Sequence, residues 1–148
     1  MKVRRLSEKE FKYIYSKVPR LCVEVVIKTD EGILLTKRDI PPAKGKWHIP
    51  GGTVLFRETL KQAVKRIAKR EVGLNVVPEK ILDVLEYTQS QKVGDVTGHA
   101  VGVLFLCKVA SGKLRGSKEG RNVGWFKSLP EPIIFEHKEF LSREFGLL

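Results

Sequence analysis

With 148 residues, 42% of them hydrophobic and 30% charged, the chain can bury one real core and is too short for two comfortable domains. It has no low-complexity tract, no repeat at solenoid period and no apolar run near the ~20 residues of a membrane span. Met1-Lys2-Val3-Arg4-Arg5 leads into polar Leu-Ser-Glu-Lys-Glu, so neither a signal peptide nor a membrane anchor is expected and the expected location is cytoplasmic. A net charge of +11 attracts phosphate, but the Lys and Arg residues are spread rather than blocked, and few aromatics interleave with them. Charge alone therefore does not choose between a nucleotide and a nucleic-acid backbone.

Ser7-Glu8-Lys9-Glu10 reads as a capping box, with Phe11, Ile14 and Val18 at helical spacing and Pro19 as the stop, so residues 1–19 form an N-terminal helical extension. Residues 21–28 alternate as a strand; Asp30-Glu31-Gly32 then turns into residues 33–38, and 21–38 is expected to be one hairpin. Residues 41–45 are loop, and a short strand at 47–49 runs into a turn at Pro50-Gly51-Gly52. Thr59-x-x-Gln62 is a second capping box, opening a helix to Val72 that Gly73 closes. Strands follow at 81–88 and at 99–109, the second apolar enough to be central, with a polar loop at 89–98 between them. A short strand at 123–126 precedes Pro132 and a terminal helix carrying Phe140, Leu141 and Phe145. The sum is one α/β domain over 1–148, a mixed sheet with helices packed on it. Cys22 and Cys107 sit in apolar runs without metal-ligand spacing and read as buried thiols.

On a wheel of residues 60–72, Leu60, Ala63, Val64, Ile67 and Ala68 form one arc, and Glu71 falls in its middle. A carboxylate facing a core is costly unless paired or metal-bound. Two readings stay open: Glu71 binds a metal, or it bends to solvent or meets a nearby Arg or Lys. Before the helix, Gly51-Gly52 permits close backbone approach and positive φ, and a strand, glycine loop and helix in that order suits phosphate.

The offsets of Gly52, Glu58, Arg66, Glu71, Gly73 and Leu74 resemble the Nudix box, with Ala68 at an aliphatic position and with Ile67 and Arg70 where two helix glutamates would stand. Arg38, the Gly45-Lys46-Trp47 entry and Gly124-Trp125-Phe126 add to the resemblance, which implies the Nudix fold, an α/β/α sandwich with a mixed β-sheet. Within the family, the two replacements resemble the box of the GDP-mannose mannosyl hydrolases. Lys37-Arg38, Pro42-Ala43, Gly45, Trp47, 50–52 and Glu58-Thr59-Leu60 are similar to that branch as well.

This resemblance implies a Mg²⁺-dependent hydrolase (Mn²⁺ as the alternative ion) of a nucleoside diphosphate derivative, with a nucleotide sugar such as GDP-mannose first. It implies Glu71, the Gly51 carbonyl and Glu119 at the metal, Arg38 on the diphosphate, and Glu24 near the sugar, with Arg66 also on the substrate side. Glu71 and Arg38 would then be catalytic. The chain departs from the branch at Gly120, where a catalytic histidine aligns, and at Thr53 and Ala100, which replace an arginine and a tyrosine. His48, His99 and His137 are substitute bases, with His99 taken first because it starts a strand, and His137 is expected on the surface. Attack at carbon suits a box poor in carboxylates. Attack at phosphorus and a catalytically weak domain binding a nucleotide or RNA are the alternatives. The N-terminal helix resembles one that related proteins use in dimer contacts, which admits a homodimer.

Overall fold

Ser7 opens helix α1 (Glu8–Tyr15) through the expected capping box: its hydroxyl accepts the Glu10 N–H, and its own N–H donates to the Glu10 carboxylate. The structure is a computed structural model that describes residues 5–40, 44–88 and 99–148, so Pro42, Ala43 and the loop at 89–98 lie outside the described residues.

The single hairpin expected over 21–38 is instead divided between two sheets. Strand β1 (Arg20–Val26) is buried on both faces from Cys22 to Val26, as a central strand must be and a hairpin strand with one wet face is not. The hairpin is only β2 (Lys28–Thr29) with β3 (Gly32–Lys37). Gly32 turns it with φ +118°, and a Cβ there would run into the Phe126 carbonyl.

The Pro50-Gly51-Gly52 turn is also corrected. Strand β4 (Trp47–His48) pairs with β3, and Gly51–Thr53 is itself a strand, β5, antiparallel to β1 with Glu24 opposite Gly51. Neither glycine has a positive φ. They are glycines because of crowding: a Cβ on Gly51 would stand 2.8 Å from Glu24 Cγ, and one on Gly52 would stand 3.2 Å from Ile67 Cδ1.

Helix α2 (Leu60–Val72) begins and ends where its caps dictate, with Thr59 in a capping box and Gly73 left-handed at φ 75°. Strand β6 (Leu74–Tyr87) then starts seven residues before the expected 81. Its first residues alternate, with Leu74, Val76 and Pro78 buried and Asn75, Val77 and Glu79 exposed, but Pro78 masks the pattern in the sequence. An edge strand tolerates that proline, and β6 is at the edge of the order β5-β1-β7-β6. Within this sheet β7 (Ala100–Gly112) is parallel to β1 and antiparallel to β6. The second sheet is antiparallel, with β8 (Asn122–Phe126) completing it on β3.

Side-chain alternation along β1 and β7 builds the layers. Val23, Val25, Ile27, Val103, Phe105 and Cys107 pack with Ala63, Val64, Ile67 and Ala68 of α2. Val26 and Leu104 turn the other way, toward Phe140 and Leu141 of α3 (Phe135–Phe145). The result is a helix–sheet–helix sandwich with one core on each side. Burying a Val, Leu or Ile side chain in such a core contributes about 1.5–3 kcal/mol. Both cysteines are free and buried, and burial pushes the Cys107 thiol up to about 12. No helix among the described residues is long and apolar enough to cross a membrane.

Candidate active site

The first half of the box is a clasp. Arg66 reaches back past its own helix start and grips Glu58, just before the Thr59 cap, with two hydrogen bonds, Nε to Oε2 at 2.7 Å and Nη2 to Oε1 at 3.0 Å. Its Nη2 also donates to the Thr53 carbonyl at 2.9 Å, while Glu58 Oε1 accepts the Leu55 N–H. Burial would raise the Glu58 carboxyl, but the Arg66 and Leu55 bonds outweigh it and hold the group below its ordinary value. Arg66, expected on the substrate side, is thus bonded to protein and fixes the entry of α2 against β5.

The second half faces the loop after β7. Arg115 donates to the carbonyls of Lys69 and Arg70 at 3.0 and 3.2 Å, and its N–H bonds Val72 O, which satisfies the helix C-terminus. This holds Ser117 over the helix, where its hydroxyl donates to Glu71 Oε2 at 2.9 Å. Glu71 Oε1 faces Arg70 Nε at 3.6 Å, and Arg70 Nη2 faces Glu119 Oε1, also at 3.6 Å. Both readings of Glu71 thus keep support, since it is half-buried, paired with an arginine, and aimed with Glu119 at one cation.

Among the described residues no three His, Cys, Asp or Glu side chains form a ready metal cluster. A donor set of two carboxylates around one positive group fits a single divalent ion and not several. Ile67, 2% exposed, lies in the core and contributes only packing. The loop is pinned to the end of β3: Asp39 N–H bonds the Glu119 carbonyl, Arg121 N–H bonds Asp39 Oδ2, and Thr36 Oγ1 donates to the Asn122 carbonyl. That packing explains Gly120, because a Cβ there would stand 2.5 Å from Thr36 Oγ1 and 3.0 Å from Lys37 O. No side chain fits at the position where the resemblance aligns a histidine.

Glu24 lies on the opposite face of the sheet from Glu71, under α3. It is 6% exposed, and its Oε1 accepts from the Tyr87 hydroxyl at 2.5 Å and from His137 Nε2 at 3.0 Å. His137 Nδ1 accepts the Ile49 N–H at 3.0 Å, which fixes the proton on Nε2 and leaves the ring no spare lone pair. The expectation of a surface His137 is therefore wrong: it is 2% exposed and orients a buried carboxylate. Burial, and then the Glu24 charge, push the Tyr87 phenol far above its ordinary range, so it stays a donor. Among the described residues Glu24 Oε2 has no hydrogen-bond partner, and it is buried against Gly102, whose Cβ would stand 2.9 Å from it.

His48 adjoins this network, with its ring 6.3 Å from that of His137. Burial above all, with His137 and the Arg38 charge as neighbours, lowers it to about 4, so it is neutral at pH 7. Arg38, half-buried after β3, donates its N–H to the Lys46 carbonyl, next to the strand that carries His48. His99 is exposed before β7, three residues from Gly102 and so ~10 Å along the strand. The structure thus gathers Arg38, His48, Glu24, Tyr87 and His137 in one group, and Glu58, Arg66, Arg70, Glu71, Ser117 and Glu119 in another. Strand β5, with Glu24 packed on Gly51 and Ile67 on Gly52, separates the two. Tyr87, Ser117 and Arg115 carry no local sequence signal, since their partners are 45 or more residues away.

Comparison with known proteins agrees with this architecture. Residues 18–143 match the NUDIX domain. The chain is 37% identical over 103 residues to the low-salt glycan biosynthesis protein Agl8 of Haloferax volcanii, covering 68% of this chain and 66% of that protein. It is 32% identical over 125 residues to the ADP-ribose pyrophosphatase of Methanocaldococcus jannaschii, covering 83% and 71%. The crystal structure of a MutT NUDIX hydrolase from Burkholderia pseudomallei superposes with a TM-score of 0.74 at 28% identity, covering 86% of this chain and 99% of that one. The expected α/β sandwich is the fold found. The chain belongs to the Nudix family of hydrolases.

Proposed function

We propose that this protein hydrolyses a nucleoside diphosphate derivative, that its substrate is a nucleotide sugar of the GDP-mannose kind, and that water attacks the anomeric carbon. One observation carries this reading: of the three helix positions where the family has glutamates, only Glu71 keeps a carboxylate, while Ile67 is in the core and Arg70 is a cation beside it. A helix so depleted suits charge stabilisation of a leaving diphosphate better than assembly of several ions around an attacked phosphorus. The name of the Haloferax relative, a glycan biosynthesis protein, points to sugar chemistry as well.

In this reading the water oxygen bonds to the anomeric carbon, and the carbon–oxygen bond to the β-phosphate breaks with both electrons on the phosphate oxygen. The water gives up a proton. Nudix hydrolases generally use a divalent metal such as Mg²⁺ or Mn²⁺; here Glu71, Glu119 and the Gly51 carbonyl would hold it, and it would supply positive charge to the departing diphosphate. Arg38 binds the diphosphate. Glu24, which the resemblance puts near the sugar, is kept in place by Tyr87 and His137. His99 takes the proton, because His137 has both nitrogens engaged and His48 is a weak base.

Attack at phosphorus is the second reading, favoured by the name of the Methanocaldococcus relative. Incubation with GDP-mannose, other nucleotide sugars and ADP-ribose, with Mg²⁺ and mass-spectrometric product analysis, tests the proposal. Free sugar plus nucleoside diphosphate supports it, and loss of turnover in a folded Glu71→Gln variant supports the metal assignment. Sugar 1-phosphate plus nucleoside monophosphate rejects carbon attack, and no turnover with any of them rejects the activity.

A further inference from the structure

We infer that Arg70 is a displaceable cation: it holds the metal position while the site is empty, and it moves to the substrate's diphosphate when a divalent ion takes that position. The inference rests on the reading of Glu71 and Glu119 as ligands, and it concerns what controls their affinity. Arg70 stands between the two carboxylates at 3.6 Å from each, within ion-pair range but longer than a hydrogen bond. Its side chain is 42% exposed, so nothing in the core holds it there. Adjacent helix residues do not face each other, so the approach of Arg70 to Glu71 reflects charge rather than helix geometry.

The neighbouring guanidiniums are already engaged in part. The Arg5 guanidinium is lowered by burial and by its neighbours Arg70 and Arg66, and raised by Glu58 and Glu119. Arg66 is closed on Glu58. Arg66 is thus paired with Glu58, while Arg70 is the guanidinium shared between Glu71 and Glu119. A divalent ion arriving alone would add positive charge beside Arg70. A diphosphate arriving alone would meet two carboxylates already near the phosphate position. Arriving together, the ion takes the carboxylates and the freed guanidinium takes a phosphate oxygen. The two ligands are then coupled through one side chain, and coupling is reciprocal.

The distinguishing consequence is that removing Arg70 moves the two affinities in opposite directions. Mn²⁺ titration followed by electron paramagnetic resonance, with no nucleotide present, reads the first. Arg70→Gln should bind Mn²⁺ at least about tenfold more tightly than the wild type, within the range typical of coupled sites. Adding Glu119→Gln to that variant should abolish the gain. Arg143→Gln, which removes a charge on α3, should change Mn²⁺ affinity by less than about threefold, as a distant and screened charge does. Calorimetric titration with ADP at saturating Mg²⁺ reads the second, and Arg70→Gln should weaken ADP at least about tenfold. Unchanged Mn²⁺ affinity in Arg70→Gln, an equal gain in Arg143→Gln, or weakening of both ligands together would each overturn the inference. None of these readouts uses turnover, so failure to hydrolyse nucleotide sugars would count against the proposed activity and leave this result standing.

Discussion

Replacing Tyr87 by Phe isolates the network that holds Glu24. The substitution removes one oxygen and keeps the ring that stands edge-on to His137 at 5.8 Å. What is lost is a 2.5 Å hydrogen bond to a carboxylate that is 6% exposed, together with the 2.7 Å contact of the same hydroxyl with His137 Nε2. A hydrogen bond to a charged group contributes about 1.5–3 kcal/mol, and a buried lone pair left without a donor adds to the cost. His137 still donates to the same Oε1, so the loss is partial and the variant should fold. Destabilisation of about 1.5–3 kcal/mol follows, a fall of roughly 3–10 °C in Tm for a chain of this size. Urea unfolding should show a lower midpoint with an unchanged slope. In a double-mutant cycle with Glu24→Gln the pair should couple by about 1 kcal/mol or more, because the two side chains share one bond. The sign with pH is also set. Burial and Glu24 raise the folded Tyr87 pKa above its unfolded value of about 10, so its share of stability is complete below pH ~10 and falls as pH rises past it. Destabilisation under about 0.5 kcal/mol, the scale of an ordinary surface change, would refute the network as described.

Three further outcomes follow from the same geometry. Arg38→Ala should weaken ADP binding by about 1.5–3 kcal/mol, the scale of a charged hydrogen bond to phosphate, measured by calorimetry, with adenosine binding unaffected. Gly120→Ala should destabilise by about 1–3 kcal/mol on urea unfolding, since its methyl would press on Thr36 Oγ1 and Lys37 O. His48 is neutral in the fold with a pKa of about 4 against 6.5 unfolded, so its contribution is complete above pH 6.5 and is lost as pH falls toward 4. His48→Gln should flatten the stability profile between those values.

The parts legible in the sequence are those set by nearby residues. Thr59, Gln62 and Gly73 fix both ends of α2 because caps act within one turn, and Glu24 stands out as a carboxylate among apolar neighbours. What escapes is set at long range. Tyr87 and His137 reach Glu24 from 63 and 113 positions away, and Ser117 reaches Glu71 from 46. The division of 21–38 between two sheets depends on β7 lying parallel to β1, which no local turn signal encodes. The β5 glycines are legible as a close approach but not as a strand, because strand-breaking residues are accepted there by packing against Glu24 and Ile67. Arg70 is visible as a missing acid; that it stands between two remaining ones is not.

The bond that breaks is the central claim, and solvent labelling reads it directly. Hydrolysis of GDP-mannose in ¹⁸O-water with Mg²⁺, followed by mass spectrometry of both products, should place the label in the anomeric hydroxyl of free mannose and leave the GDP unlabelled. Label in a phosphate, with mannose 1-phosphate or GMP carrying it, would contradict carbon attack, and with it the role of leaving-group stabiliser for a helix that keeps Glu71 alone.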